Sequence, residues 1–171
     1  NDNDASDTAF GADALSSTTA YRCSAFGSGA LESNTSGGDN SAFGASSALD
    51  NTTGNWNSSF GAFSLYNNTT GSSNVSMGVN TLYYSTTTSY NTALGYHALN
   101  KQTTGQRNTA VGAFTIEQTT TGQYNSSLGA FSLNKNTTGS NNVVLGYFAA
   151  YYLISGSNNI VIGYNSAASS T

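Results

Sequence analysis

The sequence predicts an all-β protein, a parallel β-solenoid of about ten coils of 17 residues. Three observations predict it. An apolar residue followed by glycine recurs at nearly constant spacing along the whole chain. Each repeat is far too short for a pair of helices, which needs about 33 residues or more. And there is no proline in 171 residues, although proline would remove a ladder donor wherever it fell in a stack of strands.

The recurring dipeptide begins at Phe10-Gly11 and continues as Phe26-Gly27, Phe43-Gly44, Phe60-Gly61, Met77-Gly78, Leu94-Gly95, Val111-Gly112, Leu128-Gly129, Leu145-Gly146 and Ile162-Gly163. The step from Gly11 to Gly27 is 16 residues and every later step, such as Gly27 to Gly44, is 17. A disordered chain of this polarity has no reason to space its apolar residues evenly, so the register separates this sequence from an intrinsically disordered tract.

Within the unit, asparagine opens most copies: Asn40, Asn57, Asn74, Asn91, Asn108, Asn125, Asn142 and Asn159, with Asp7 and Cys23 in the first two. A small residue follows two places later, as in Ala25, Ala42 and Ala93, and then the apolar-glycine pair. A further apolar anchor stands near the ninth place, at Leu15, Leu31, Leu65, Leu82, Leu99, Ile116 and Leu133. Thr-Thr-Gly closes the unit at residues 52–54, 69–71, 103–105 and 137–139. The expected coil has a short strand from asparagine to the apolar residue, a bend at glycine, a second short strand carrying the leucine, and a turn at Thr-Thr-Gly. Coils stacked at about 4.8 Å give a rod roughly 50 Å long. Stacking places equivalent residues in columns. Phe26, Phe43, Phe60, Met77, Leu94, Val111, Leu128, Leu145 and Ile162 are expected as a buried core ladder, and the opening asparagines as an inward or seam-side amide ladder. Residues 1–7 carry no apolar pattern and read as a flexible arm; residues 8–171 read as one repeat domain.

The unit Asn91–Arg107, N-T-A-L-G-Y-H-A-L-N-K-Q-T-T-G-Q-R, resembles the tandem N-T-A-hydrophobic-G…A-L…N-T-T-G repeats of bacteriophage tail fibres and bacterial surface fibres. Those in turn are similar to the shorter head repeats of trimeric autotransporter adhesins, which wind a left-handed parallel β-roll and pack three chains side by side. The resemblance covers Thr8 to about Ser166. It implies an extracellular, cell-surface or virion fibre, with a homo-oligomer or filament as the working form. Adhesion to a host surface or glycan is the alternative function it implies.

Composition excludes several classes. Four Lys plus Arg against eight Asp plus Glu give a net charge of −4, and Arg22, Lys101, Arg107 and Lys135 are scattered, so no nucleic-acid footprint exists. No apolar run reaches the roughly 18–20 residues that span a bilayer as a helix. No signal peptide or initiator methionine is visible, which reads as a mature product or fragment. The single cysteine, Cys23, and single histidine, His97, assemble neither a disulfide, a multi-cysteine metal site nor a nucleophile triad. Asp2, Asp4 and Asp7 lack the glycine and glutamate of a calcium loop. No catalytic residue, metal or cofactor is expected.

Three surface features are candidates. Sequons occur at Asn34, Asn51, Asn57, Asn67, Asn68, Asn74, Asn125 and Asn136; Asn51, Asn68 and Asn136, beside the Thr-Thr-Gly turns, are the best candidates for N-glycosylation. Tyr83, Tyr84, Tyr147, Tyr151, Tyr152 and Tyr164 crowd the C-terminal half, where aromatic columns serve packing or sugar stacking. Tyr151, Tyr152, Leu153, Ile154, Val161 and Ile162 make the last units less polar than the rest and mark an assembly surface, end to end or side by side. Ice binding is a minor alternative, because the threonines are mostly adjacent rather than alternating and adjacent side chains of a strand point to opposite faces.

Overall fold

The computed structural model describes residues 6–17 and 19–167. Each repeat contributes one strand of three residues: β1 Thr8–Phe10, β2 Ser24–Phe26, β3 Ser41–Phe43, β4 Ser58–Phe60, β5 Val75–Met77, β6 Thr92–Leu94, β7 Thr109–Val111, β8 Ser126–Leu128, β9 Val143–Leu145 and β10 Ile160–Ile162. They form a single parallel sheet in sequence order, β1 to β10, so the chain is a parallel β-solenoid of about nine turns. The register is strict: Ala25 pairs Ala42, Ser76 pairs Ala93, and Leu128 pairs Leu145.

No second strand carries the leucine anchor among the described residues. The stretch after each glycine is a series of tight turns, in which the leucine itself is left-handed: φ is +54° at Leu65, +49° at Leu82 and +52° at Leu99. This conformation is uncommon for branched side chains. It persists because the neighbouring coils hold it from both sides. Leu65 N–H donates to Thr81 O at 2.9 Å, and Phe63 N–H donates backward to Ala45 O at 3.0 Å. Backbone groups that a turn would normally leave to water are thus satisfied between coils.

The interior is narrow. The middle residue of β2 to β10 points inward, from Ala25, Ala42 and Ser59 to Val144 and Val161, and all are buried. They face the fully buried column Leu31, Leu65, Leu82, Leu99, Ile116 and Leu133. Small residues opposite leucine fill the coil without room for two large side chains. Where the strand places a serine inside, the residue five places on is also a hydroxyl. Ser76 Oγ donates to Thr81 Oγ1 at 2.6 Å, and Ser127 and Ser132 share a hydrogen bond of 2.5 Å. Buried hydroxyls without partners would cost about 1–3 kcal/mol each, so the two positions are chosen together.

The apolar residues before glycine do not form the buried core. They form a column in register, but on the outer face of the sheet: Phe26 is 36% exposed, Met77 44%, Leu128 50% and Ile162 65%. Phe43, Leu94 and Val111 are half-buried and Phe60 and Leu145 exposed in the same column. The cause is the period of two. The opening asparagine and the small residue two places later share the inward face, so the residues between and after them must point out. Hydrophobicity alone puts phenylalanine inside; strand alternation overrules it. Phe43 and Phe60 stack instead on each other, with ring centroids 4.9 Å apart and planes 3° apart.

Two truncations measure this arrangement. Leu99→Ala, at a fully buried site, is expected to destabilise by about 2–5 kcal/mol. Phe60→Ala, which loses one stacking partner and part-exposed area, is expected to cost only about 1–2 kcal/mol. Urea unfolding of both variants checks the order; equal losses would mean that the phenylalanine column carries the core after all.

Candidate functional site

Inside the coil, the asparagine column does structural work. Asn40, Asn57, Asn74, Asn91, Asn108, Asn125 and Asn142 are buried, and Asn159 in the last coil is partly so. From Asn40 to Asn142, each Oδ1 accepts the backbone N–H of the asparagine one coil later, as from Asn57 to Asn40 at 2.9 Å and from Asn125 to Asn108 at 2.9 Å. From Asn40 to Asn142, each Nδ2 also reaches across its own coil to the carbonyl 14 residues on, as from Asn57 to Gly71 at 2.8 Å and from Asn125 to Gly139 at 2.9 Å. One side chain therefore joins the start of a coil to its end and to its neighbour. Asp7 takes this place in the first coil, accepting from Cys23 N–H at 2.7 Å, and Ser6 Oγ accepts from Arg22 N–H at 3.1 Å. Ser6 and Asp7 are therefore bound to the solenoid, while Asp2 and Asp4 lie outside the described residues.

A second amide column runs parallel to it and contains the glycosylation candidates. Asn51, Asn68 and Asn136 are at most 1% exposed. Asn51 Nδ2 donates to Asn34 Oδ1 at 2.8 Å, and Asn68 Nδ2 to Asn51 Oδ1 at 2.9 Å. These nitrogens face the interior, so Asn51, Asn68 and Asn136 are not glycan acceptors in the folded chain. Position beside a turn suggested exposure, but the side chain at that place turns inward. Of the eight sequons only Asn67 is not buried, and its Nδ2 donates to Tyr83 O at 2.7 Å.

Cys23 fills the first amide column as a buried thiol, with Sγ 3.3 Å from Gly37 O. Burial pushes its pKa up, so the thiolate is disfavoured. No group of three or more His, Cys, Asp or Glu that could hold a metal occurs among the described residues.

The C-terminal candidates divide. Tyr152 is 80% exposed, Ile154 61% and Ile162 65%, while Tyr151 stacks on Phe148 at 4.8 Å. Val161 is the inward residue of β10 and is buried, and Leu153 packs against the core in the second amide column. Val161 and Leu153 thus close the interior rather than offer a surface.

Two further exposed features stand out among the described residues. One is the outer face of the sheet, in which the column from Phe10 to Ile162 lies beside Ser24, Ser41, Ser58, Val75, Thr92, Thr109, Ser126, Val143 and Ile160. The other is an aromatic stripe over the turn region. Phe114 stacks on Phe131 at 5.0 Å and Phe131 on Phe148 at 4.9 Å, and three residues farther along the coil Tyr66 stacks on Tyr83 at 5.0 Å. The stripe is interrupted at Asn80 and His97. The outer face was hidden from sequence reasoning by the assumption that phenylalanine is core; the interruption was visible as His97 in a column otherwise rich in phenylalanine. Compared with known proteins, the chain matches no family model, no curated protein and no solved structure.

Proposed function

We propose that this chain is a non-enzymatic building block of an extracellular fibre, and that copies of it associate side by side through the outer face of the sheet. The observation that carries the reading is the exposed apolar column on the outer face of a ten-stranded parallel sheet. Phe10, Phe26, Phe60, Met77, Leu128, Leu145, Val75, Val143, Ile160 and Ile162 are all at least 36% exposed on that one face. An apolar column continued over every coil is a contiguous patch, which marks an interaction surface where scattered single apolar residues do not. The occupant is a second copy. Only a surface with the same strand spacing can match ridges repeated over every coil, and this chain carries such a surface. The resemblance to tail-fibre and surface-fibre repeats supports the same reading.

Ice binding has less support. Thr52 Oγ1 donates to Thr69 O at 2.9 Å, Thr69 to Thr86 O at 3.0 Å and Thr103 to Thr120 O at 3.1 Å. Those hydroxyls are committed between coils, which leaves one outward threonine of each adjacent pair.

Sedimentation equilibrium tests the proposal. The chain is expected as a dimer or larger at micromolar concentration, and Leu128→Glu with Leu145→Glu is expected to give a folded monomer. A monomeric parent chain would overturn the reading. So would dispersal by Ile154→Glu in place of the double variant, because Ile154 lies on the open last coil and would report end-to-end stacking.

A further inference from the structure

We propose that the interruption in the aromatic stripe is a binding groove for an uncharged pyranose sugar. This goes beyond the fibre reading and does not depend on it. The groove holds about 310 Å³ and is lined by Phe63, Asn80, Tyr83, Tyr84, His97 and Asn100. That volume is at the lower end of ligand pockets, about 300–1,000 Å³, and suits one or two sugar rings.

The site is built by a departure from the repeat. In the column that gives Phe63, Phe114, Phe131 and Phe148, the two intervening coils carry Asn80 and His97. In the column three residues on, which gives Tyr66, Tyr83 and Tyr151, the intervening coils carry Asn100, Glu117 and Asn134. The two departures coincide in one coil, that of His97 and Asn100, where both aromatic columns are open at once.

The polar groups are held in place by one another. Asn80 Nδ2 lies 3.2 Å from His97 Nε2, and Asn100 Nδ2 donates to Asn80 O at 2.8 Å. His97 Nδ1 is buried without a hydrogen-bond partner, 3.6 Å from Glu117 Oε1. Asn134 Nδ2 donates to Glu117 Oε2 at 3.1 Å, which fixes that carboxylate. Asn100 is 5% exposed. On the wall, Phe63 is 40% and Tyr84 51% exposed, and Tyr83 meets Tyr84 edge-on at 4.8 Å. Exposed aromatic rings beside fixed amide and imidazole groups suit the C–H face and the hydroxyl edge of a pyranose. Glu117 and the net charge of −4 select against an anionic sugar.

His97 is the sole histidine of the chain, so its imidazole C–H signals in the proton NMR spectrum report on the groove without assignment. The full chain is titrated with methyl glycosides of glucose, galactose, mannose and N-acetylglucosamine, with sialic acid, and separately with a neutral-glycan glycoprotein. At least one neutral glycoside is expected to shift the His97 signals saturably, with Kd near millimolar. Tyr84→Ala is expected to weaken binding at least tenfold, and Tyr124→Ala, an exposed aromatic elsewhere, to leave it unchanged. Response to the free glycosides alone assigns a soluble sugar; response to the glycoprotein as well assigns a glycan chain. No saturable shift with any neutral sugar, a shift with sialic acid only, or equal binding by Tyr84→Ala would overturn the proposal. Because every readout is at His97, failure here leaves the sedimentation result standing, and the reverse.

Discussion

Gly112→Ala is expected to unfold the middle of the solenoid or lower its stability by about 3 kcal/mol or more, the sum of a left-handed backbone penalty and a backbone clash. Gly112 has φ +134°, a region L residues avoid, and a Cβ placed there would stand 2.7 Å from Gly129 C and 2.8 Å from Gly129 O. Neither neighbour is the end of a flexible side chain. The coil would have to move away from the next one, which breaks Gly129 N–H to Val111 O at 2.9 Å and the β7–β8 register with it. The same glycine recurs after every strand, from Gly11 to Gly163, always with positive φ. A solenoid transmits such a local separation to its neighbours, since each coil is stabilised only by the adjacent ones. Thermal unfolding by circular dichroism checks this. Gly163→Ala, where among the described residues only Ser166 approaches, at 3.9 Å, is the internal control and should lose less. Equal losses would mean that backbone strain, and not coil contact, sets the requirement.

Asn108→Ala is expected to cost about 3 kcal/mol, because several buried groups lose their partner at once and each orphan costs about 1–3 kcal/mol. Asn125 N–H, 2.9 Å from Asn108 Oδ1, loses its acceptor. Gly122 O and Gln102 Oε1 lose the Asn108 Nδ2 that donates to them at 2.9 and 3.2 Å. Asn108→Asp keeps an oxygen for Asn125 N–H but removes both donations and buries a charge, so it should lose at least as much at neutral pH and recover part as pH falls and the carboxyl protonates. Denaturant unfolding at pH 7 and pH 4 measures both variants. An Asn108→Ala loss below about 1 kcal/mol would show that coil stacking alone closes the coil.

The sheet, its parallel order and its register were legible because one dipeptide recurs with a step that admits a single kind of coil. The interior was only partly legible. The leucine column could be read as an anchor from its spacing, and the asparagine column as a ladder from its persistence. The pairing of Ser76 with Thr81 and Ser127 with Ser132 was present in the sequence as a spacing of five, but it has no meaning until the two positions are known to face each other. Phe60 and Leu128 were placed inside because apolar residues at fixed intervals usually are; Asn51 and Asn68 were placed outside because amides beside turns usually are. Both inversions have one cause. In a coil this narrow the interior is assigned by backbone direction rather than by polarity, and amides are admitted wherever a carbonyl of the same coil waits for them.

By itself, then, the sequence determined the repeat, its period, and the columns that any stacking of that period must form. These follow from chain connectivity: residues 17 apart become neighbours once coils hydrogen-bond in register. Tertiary structure decided which columns face in, that the leucines sit in left-handed turns, and that His97 with Asn80 and Asn100 opens a groove beside Phe63, Tyr83 and Tyr84. Those depend on where each coil bends, and the bends are settled by backbone bonds to the coils on either side, which no single repeat contains.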